Sequence, residues 1–268
     1  MNYRYLIASD MDFTLIMPGE DVSEQNRQAV LALRENGCAF TLATGRTFYL
    51  IRKYCKDLKI DIPCITSNGG ALYDPVTGNI ISEDIPEETV KQIIPFLIDE
   101  GVDIVGYSNE GVFFAPNSKR RDFFINYNKG VPDNEKAKMY DLPVNGPYPR
   151  FSKILTVGAD EKMRDYLRSR PDLECAASTG ELFDIMKKGI SKGEALLRLA
   201  DILNIPHENT IAIGDNENDL PMLKSAAFSI AMGGSPDSVL SCCNKVTTTC
   251  EEDGFAKAVY DHILPLIK

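Results

Sequence analysis

The sequence predicts an α/β fold, with a Rossmann-like parallel-sheet core, helices on both faces of the sheet, and an inserted α+β cap domain. Two observations lead to this prediction. At both ends of the chain, short apolar segments alternate with helical ones across short links, which is typical of βαβ units. In the middle third, strand pairs and frequent turns replace that alternation.

The first part of the chain alternates strands and helices. Tyr5–Ser9 is a short apolar run that ends in carboxylates, and residues 23–36 carry apolar side chains at helical spacing. Beyond them, the pattern predicts a strand at 38–43, a helix at 48–58 and a strand at 64–67.

The same alternation returns near the end of the chain. The predicted elements are a helix at 193–203, a strand at Thr210–Gly214, a helix at 218–226, a strand at 228–232 and a helix at 254–267. One domain interrupted by another explains this return. We therefore assign residues 1–82 and 188–268 to the α/β core and residues 83–187 to the inserted domain.

Within the insertion, two segments carry specific expectations. Pro95 predicts that the helix within residues 87–100 is kinked or shortened. Residues 128–149 are rich in proline, glycine, asparagine and charge, so we expect a long loop there.

Composition argues against several classes of partner. The net charge of −10 disfavours nucleic acid and anionic membranes, because both are bound chiefly through lysine and arginine. No apolar run approaches the roughly 18–20 residues that cross a bilayer, and the N-terminal apolar stretch is too short for a signal peptide. The seven cysteines make a poor disulfide framework, so we expect a cytoplasmic protein with reduced thiols. The oligomeric state is not predicted.

Polar residues follow three of the predicted strands and begin one predicted helix. They are Asp10 and Asp12 after the first strand, Thr44, Gly45 and Arg46 after the second, Asp215, Asn218 and Asp219 after Thr210–Gly214, and Lys192 at the helix start. Ligands of open α/β sheets bind beyond the carboxyl ends of the strands. If these strands are parallel neighbours, all four groups face one crevice.

The acidic groups each have a structural and a functional interpretation. Asp10 and Asp12 suit a hard metal ion or a nucleophile–acid pair, but they also suit a solvated loop. Asp215 begins a predicted helix and would cap it, although the dense acidity of GDNENDL favours a divalent cation.

The other two groups also have two interpretations each. Thr44 and Gly45 offer a hydroxyl and backbone N–H groups to a phosphate oxygen, or they cap a helix. Lys192 is either a charge clamp for the same phosphate or an exposed lysine.

In their order along the chain, these groups resemble the haloacid dehalogenase-like superfamily of phosphohydrolases, specifically its Cof-type branch. The resemblance covers nearly the whole chain and extends to ITSNGGALYDPVTG, AMGGSPDSVL and CEEDGFAKAV. That branch has a large α/β cap between its second and third motifs, which implies that residues 83–187 form a substrate-specificity cap. Phe13 departs from the family pattern, because glycine usually follows the acid, and Gly233-Gly234 stands where asparagine-alanine is common.

The resemblance implies catalytic roles for four residues. Asp10 would be the nucleophile that forms an aspartyl-phosphate. Asp12 would protonate the leaving group and then activate water. Thr44 would bind the transferring phosphoryl group, and Lys192 would neutralise its charge and orient Asp10.

The resemblance also implies a magnesium site. Mg²⁺ would be held by Asp10, the backbone carbonyl of Asp12 and Asp215. Asp219 would act from the outer shell, and Asn218 would lie near the metal or the phosphate.

The predicted function is that of a magnesium-dependent phosphatase for small phosphate monoesters. Sugar phosphates are the first candidates, followed by cofactor precursors. Two alternatives remain open. A phosphomutase would use the same aspartyl-phosphate but return the phosphoryl group to a second hydroxyl, and a catalytically idle protein would only bind a phosphorylated metabolite.

Overall fold

The computed structural model describes residues 3–177 and 180–267 of the 268-residue chain. Its strands, in chain order, are β1 (Tyr5–Ser9), β2 (Cys38–Leu42), β3 (Cys64–Thr66), β4 (Ala71–Tyr73), β5 (Ile80–Ser82), β6 (Asp103–Tyr107), β7 (Val112–Phe114), β8 (Met139–Asp141), β9 (Lys153–Val157), β10 (Leu173–Ala177), β11 (Leu182–Lys187), β12 (Thr210–Gly214), β13 (Phe228–Ala231) and β14 (Lys245–Val246).

The α-helices, in chain order, are α1 (Glu24–Glu35), α2 (Arg52–Asp57), α3 (Glu87–Asp99), α4 (Arg120–Lys129), α5 (Glu161–Ser169), α6 (Lys192–Ile202), α7 (Leu220–Ser225), α8 (Asp237–Leu240), α9 (Gly254–Ala258) and α10 (Leu264–Ile267). Single turns of 3-10 helix lie at Phe48–Ile51, Ser67–Gly69, Asp133–Glu135, His207–Asn209, Glu217–Asp219 and Cys250–Glu252, and Val259–Ile263 is a π-helix. Across the described ranges, every helix is too short or too polar to cross a bilayer.

The chain divides into two compact units. The first contains Met1–Asn79 and Ser191–Lys268, and the second contains Ile80–Ile190. The second unit therefore interrupts the sequence of the first. That it serves as a cap stays a prediction.

A parallel sheet forms the centre of the first unit, in the order β14-β13-β12-β1-β2. β1 pairs in parallel with β2 on one side and with β12 on the other, so Ile7 lies opposite both Phe40 and Ile211. A parallel bridge between Ala43 and Ile65 then connects the end of β2 to β3. Residues of β2 and β12 are buried throughout, as expected for parallel strands covered on both faces. The predicted α/β fold class is confirmed.

The second unit has a mainly antiparallel sheet, in the order β10-β11-β9-β6-β7-β8, in which only the pairing of β7 with β8 is parallel among the described pairs. Its hydrophobic core combines apolar residues of α3 and α5 with one face of this sheet. Examples are Ile94 and Leu97 of α3, Leu167 of α5, and Ile104 and Ile154 of the strands. This unit has the α+β character predicted for the insertion.

Two expectations for the insertion are corrected in part. Pro95 does not shorten its helix, because α3 continues to Asp99, and the expected kink stays a prediction. Residues Ile93, Ile94 and Leu97 are buried in the core around it, so packing outweighs the one backbone hydrogen bond that proline cannot make.

The segment 128–149 is mostly irregular, as expected, but a 3-10 turn at Asp133–Glu135 and the short strand β8 interrupt it. The side-chain amide of Asn128 clamps the chain, donating to the carbonyl oxygen of Ala137 at 3.0 Å and accepting its N–H at 2.8 Å. β8 then pairs with β7, and the ring of Tyr140 stacks on that of Phe113 with 4.9 Å between centroids. Composition alone does not reveal such a clamp.

The contact between α6 and α7 depends on Gly193, the second residue of α6. A Cβ atom added there would lie 2.4 Å from the carbonyl oxygen of Pro221 in α7. The two helices are thus too close for any side chain at this position.

We therefore expect Gly193→Ala to lower the free energy of unfolding by about 1–3 kcal/mol, the usual cost of overpacking. Gly130→Ala is the matched control, because its added Cβ would be 3.6 Å from the nearest atom, the carbonyl oxygen of Tyr127. Urea unfolding measures both variants. Equal stability of the two would show that α7 can move away from α6 without cost.

Candidate active site

The predicted site residues lie at the carboxyl ends of neighbouring strands. Asp10 directly follows β1, and its backbone N–H donates to the carbonyl oxygen of Ile213 in β12 at 2.9 Å. Thr44 follows β2, and its N–H donates to the carbonyl oxygen of Ile65 in β3 at 2.9 Å. Asp215 directly follows β12. The parallel sheet thus brings residues from distant parts of the sequence to one edge.

Lys192 is the cation at the centre of this edge. It is the first residue of α6, its side chain is 0% exposed, and its Nζ atom donates to Oδ1 of Asp10 and to Oδ1 of Asp219, both at 2.6 Å. A positive charge at a helix N-terminus opposes the helix dipole. Burial alone would lower the pKa of Lys192, but the charges of Asp10 and Asp219 outweigh it and raise that pKa.

Three carboxylates surround this ammonium group. Asp10, Asp215 and Asp219 each place an oxygen within 4.8 Å of the others. Burial raises the pKa of Asp10 well above its usual range, and the charge of Asp219 adds to the rise while Lys192 opposes it. Burial likewise raises the pKa of Asp215 to about 6, and Asp219 again adds to the rise. Lys192 therefore offsets only part of a rise whose largest cause is the burial of the two carboxyl groups.

The carboxylate of Asp219 is occupied by protein donors. Its Oδ2 atom accepts the backbone N–H groups of Asp215 at 3.0 Å and Asn216 at 3.1 Å, while Oδ1 accepts from Lys192. Gly214 makes room for it, because an added Cβ there would lie 2.7–2.9 Å from side-chain atoms of Asp219. Asn218 lies in the same 3-10 turn and is half-buried.

Thr14 is a member of the site that sequence reasoning missed. Its buried hydroxyl donates to Oδ1 of Asp215 at 2.7 Å and opposes the rise in the pKa of that carboxyl. The two residues are 201 positions apart, so local patterns do not connect them. The available signal was a threonine two residues after Asp12, within the motif already singled out.

The segment Thr44-Gly45-Arg46 is held by the turn that follows β3. Its carbonyl groups accept N–H groups from that turn: Asn68 donates to Thr44 and Ser67 donates to Arg46, both at 3.0 Å. The amide of Asn68 also limits the space at Gly45, since an added Cβ there would lie 3.2 Å from its Oδ1 atom. The hydroxyl of Thr44 accepts the N–H of Arg46 at 3.1 Å, and a hydroxyl that accepts one hydrogen bond can still donate its own hydrogen.

The carboxylate of Asp12 is paired with Arg46. Its two carboxylate oxygens accept from the guanidinium group of Arg46, Oδ1 from Nη2 at 2.5 Å and Oδ2 from Nε at 2.9 Å. Its carboxylate is not one of the three that lie around Lys192. The two leading aspartates thus have different surroundings, one an ammonium group and the other a guanidinium group.

Comparison with known proteins identifies the family. The sequence matches the haloacid dehalogenase-like hydrolases over residues 7–259, which include every residue of the acidic cluster and Lys192. The chain belongs to this family. The resemblance predicted from the four motifs is confirmed.

Relatives of this hydrolase span its whole length. It is 26% identical to the 5-amino-6-(5-phospho-D-ribitylamino)uracil phosphatase YitU of Bacillus subtilis, over 96% of this chain and 97% of the relative. It is 25% identical to the pyridoxal phosphate phosphatase YbhA of Escherichia coli, over 97% and 98% of the two chains. A solved haloacid dehalogenase-like hydrolase from Bacillus subtilis superposes with a TM-score of 0.81 at 25% identity, covering 97% of this chain and 99% of the other. The predicted class of enzyme, a phosphoric monoester hydrolase, is confirmed.

The acidic cluster of this hydrolase fits the divalent cation that its family generally uses. The group consists of carboxylates, whose hard oxygen donors suit Mg²⁺ better than softer metals. The cluster holds three carboxylates beside one lysine, and the charge of Asp219 adds to the burial that raises the pKa of both Asp10 and Asp215. A cation beside Asp10 and Asp215 would relieve that repulsion.

The loop beside Asp12 keeps the conformation that suits the family's usual glycine. Phe13 has φ 62°, in the left-handed region that costs L side chains about 1–2 kcal/mol. Its N–H donates to the carbonyl oxygen of Ile16 at 2.8 Å, which closes the turn, and its side chain is exposed. Phe13 therefore holds a backbone conformation that glycine adopts without steric cost.

We expect Phe13→Gly to be more stable than Phe13→Ala by about 1 kcal/mol. Both variants remove the exposed ring, but only glycine removes the steric cost of the left-handed backbone. Urea unfolding of the pair separates the two effects. If Phe13→Ala proves as stable as Phe13→Gly, the backbone at this position is not strained.

Proposed function

We propose that this hydrolase is a magnesium-dependent phosphatase for small phosphate monoesters and that Asp10 is its nucleophile. The observation that carries the proposal is the ion pair of Asp10 with Lys192 beside a cluster of carboxylates. A carboxylate and a phosphate dianion repel each other, so positive charge must be present before one can attack the other. Lys192 supplies part of that charge and fixes one oxygen of Asp10 at 2.6 Å.

The reaction proceeds in two halves. In the first, an oxygen of Asp10 attacks phosphorus, the bond to the alcohol oxygen breaks, and Asp12 gives that oxygen a proton. In the second, Asp12 takes a proton from water, which attacks the phosphorus of the aspartyl-phosphate and releases phosphate from Asp10. Covalent catalysis of this kind divides one difficult step into two easier ones.

The remaining site residues bind the phosphoryl group and the cation. The hydroxyl of Thr44, the N–H of Gly45, Lys192 and the side chain of Asn218 would contact phosphoryl oxygens. Asp10, Asp215 and the backbone carbonyl of Asp12 would hold Mg²⁺, which supplies neutralisation of charge on those oxygens. Asp219 would act from the outer shell, because its carboxylate already accepts three hydrogen bonds from the protein.

The substrate is expected to be a small phosphorylated metabolite. The two curated relatives are phosphatases of a phosphoribitylamino-uracil and of pyridoxal phosphate, by their names. We propose sugar phosphates as the first class to test and cofactor precursors as the second, with the inserted unit as a cap that selects among them. Phosphate release across a panel of phosphorylated metabolites tests this. Formation of an isomeric phosphate ester without release of inorganic phosphate would instead indicate a mutase.

Substitutions of Asp10 and Asp12 should block different steps of the reaction. Asp10→Asn removes the nucleophile and should abolish both turnover and covalent phosphate. Asp12→Asn should still be phosphorylated by para-nitrophenyl phosphate, whose leaving group needs no proton. Hydrolysis of its aspartyl-phosphate should be slower by about a hundred- to ten-thousand-fold, the usual contribution of general base catalysis.

Rapid-quench trapping of the acyl-phosphate, followed by peptide mapping, measures both variants. Asp10→Asn is expected to fold, since Lys192 keeps its ion pair with Asp219. Phosphate found on Asp12, or on neither residue while the wild type turns over, would contradict the assignment.

Magnesium should stabilise the folded protein as well as activate it. At a concentration 100 times its dissociation constant, a ligand adds about 2.7 kcal/mol to the free energy of unfolding. We expect Mg²⁺ to raise the Tm of the wild type and chelation to abolish phosphatase activity, whereas Asp215→Asn should lose most of the rise in Tm.

The control for this experiment is Asp201→Asn, which removes an exposed carboxylate of the same unit. It should keep the full response to Mg²⁺. An equal rise in Tm for Asp215→Asn would place the ion elsewhere, and full activity after exhaustive chelation would refute the need for a metal.

A further inference from the structure

Arg46 follows the predicted phosphate-binding residues Thr44 and Gly45, and the proposed reaction gives it no task. Its guanidinium group forms a two-armed pair with Asp12, with Nη2 at 2.5 Å from Oδ1 and Nε at 2.9 Å from Oδ2. Such a fork fixes the plane of a carboxylate as well as its position. A lysine at the same place would not fix the plane of the carboxylate, because its ammonium group is a point charge.

Arg46 is itself held from three directions. Its N–H donates to the hydroxyl of Thr44 at 3.1 Å, and its carbonyl oxygen accepts the N–H of Ser67 at 3.0 Å. Its guanidinium carbon lies 5.6 Å from the centroid of the Tyr54 ring, which is buried and anchored by a hydrogen bond from its hydroxyl to the carbonyl oxygen of Glu20. The main chain and the guanidinium group of Arg46 are therefore both anchored, and the fork is attached to the segment that would bind the phosphoryl group.

The pair of Arg46 with Asp12 has a consequence beyond stability. The side chains of Arg46 and Asp12 are 21% and 30% exposed. A partly exposed ion pair usually contributes about 0.2–1 kcal/mol, and a two-armed pair can contribute more. The same pair controls where the carboxylate of Asp12 points, and an acid or base must lie within hydrogen-bond reach of the proton it moves.

We propose that Arg46 is a positioning residue that aims the carboxylate of Asp12 at the leaving-group oxygen and then at the attacking water. The proposal rests on the function proposed above, in which Asp12 is the acid/base. Arg46 acts through Asp12 and does not touch the substrate. Replacing Arg46 should therefore lower the rate only when Asp12 is present, and only in steps that need proton transfer.

A double-mutant cycle tests this. Arg46→Met and Asp12→Asn are made singly and together, and each is assayed with para-nitrophenyl phosphate and with the best sugar phosphate of the panel. Arg46→Met should lower kcat for the sugar phosphate by about 10–100-fold, the cost of a misplaced catalytic group, with KM little changed. The pre-steady-state burst of nitrophenol, which needs no acid, should be retained. In the Asp12→Asn background, Arg46→Met should cause no further loss beyond about twofold.

One further variant separates the charge of Arg46 from the geometry of its fork, and another measures the effect of losing an ion pair on stability. Arg46→Lys keeps the charge and loses the fork, so it should lose most of the activity that Arg46→Met loses. Arg34→Met removes another arginine–aspartate pair of the same unit, with Asp61 at 2.8 Å and exposures of 25% and 30%. It should leave kcat unchanged and lower the Tm about as much as Arg46→Met does.

The outcomes that contradict the proposal are distinct. Equal losses from Arg46→Met in both backgrounds, or full activity of Arg46→Lys, would show that Arg46 acts on the substrate by charge. A loss in Asp12→Asn without a loss in Arg46→Met would overturn the role of Arg46 alone. Normal turnover of the sugar phosphate by Asp12→Asn would overturn the role of Asp12 in the proposed function, and the role of Arg46 with it.

Discussion

The buried ammonium group of Lys192 is the constraint on which the first unit depends. A charge removed from water must be paired, and losing one partner of a buried pair costs about 3–5 kcal/mol. Lys192 has two partners, Asp10 and Asp219, and these come from parts of the chain that are 182 and 27 residues away from it. The end of β1, the turn at Glu217–Asp219 and the start of α6 must therefore meet at one point. The close approach of α6 to α7 at Gly193 and the space left by Gly214 make that meeting possible.

The charges around Lys192 explain why the site would need positive charge from outside the protein. Lys192 is shared between two carboxylates, and Asp215 adds a third negative charge nearby. A phosphate ester brings more negative charge into a protein whose net charge is already −10. In the proposed function, backbone N–H groups after β2 and a divalent cation would compensate for this charge. Substrate and cation would then favour each other, because each would reduce the repulsion that the other meets.

The strands that position the site were predictable from the sequence. The side-chain contacts inside the site were less so. β1, β2 and β12 are short buried runs followed within two residues by polar residues, and this pattern predicts both the strand and the position of the site. The pairing of Asp12 with Arg46 and of Asp215 with Thr14 was not predictable, since the partners are 34 and 201 residues apart. In the insertion, the side-chain amide of Asn128 holds the largely irregular segment that follows α4 at Ala137, a contact that its composition does not reveal. Local patterns report propensity and burial, and side-chain partners depend on the packed structure.

The position of the insertion has a consequence for synthesis on the ribosome. β1 pairs with β2 on one edge and with β12 on the other, and about 200 residues separate Ser9 from Thr210. At elongation rates of about 5–20 residues per second, roughly 10–40 s pass before β12 follows β1 out of the ribosome. During that interval, the backbone groups of the second edge of β1 have no strand to pair with, and an unpaired edge is where aggregation begins. Residues 80–190 are complete before β12 is made, so the inserted unit is the first part of this chain that can finish folding.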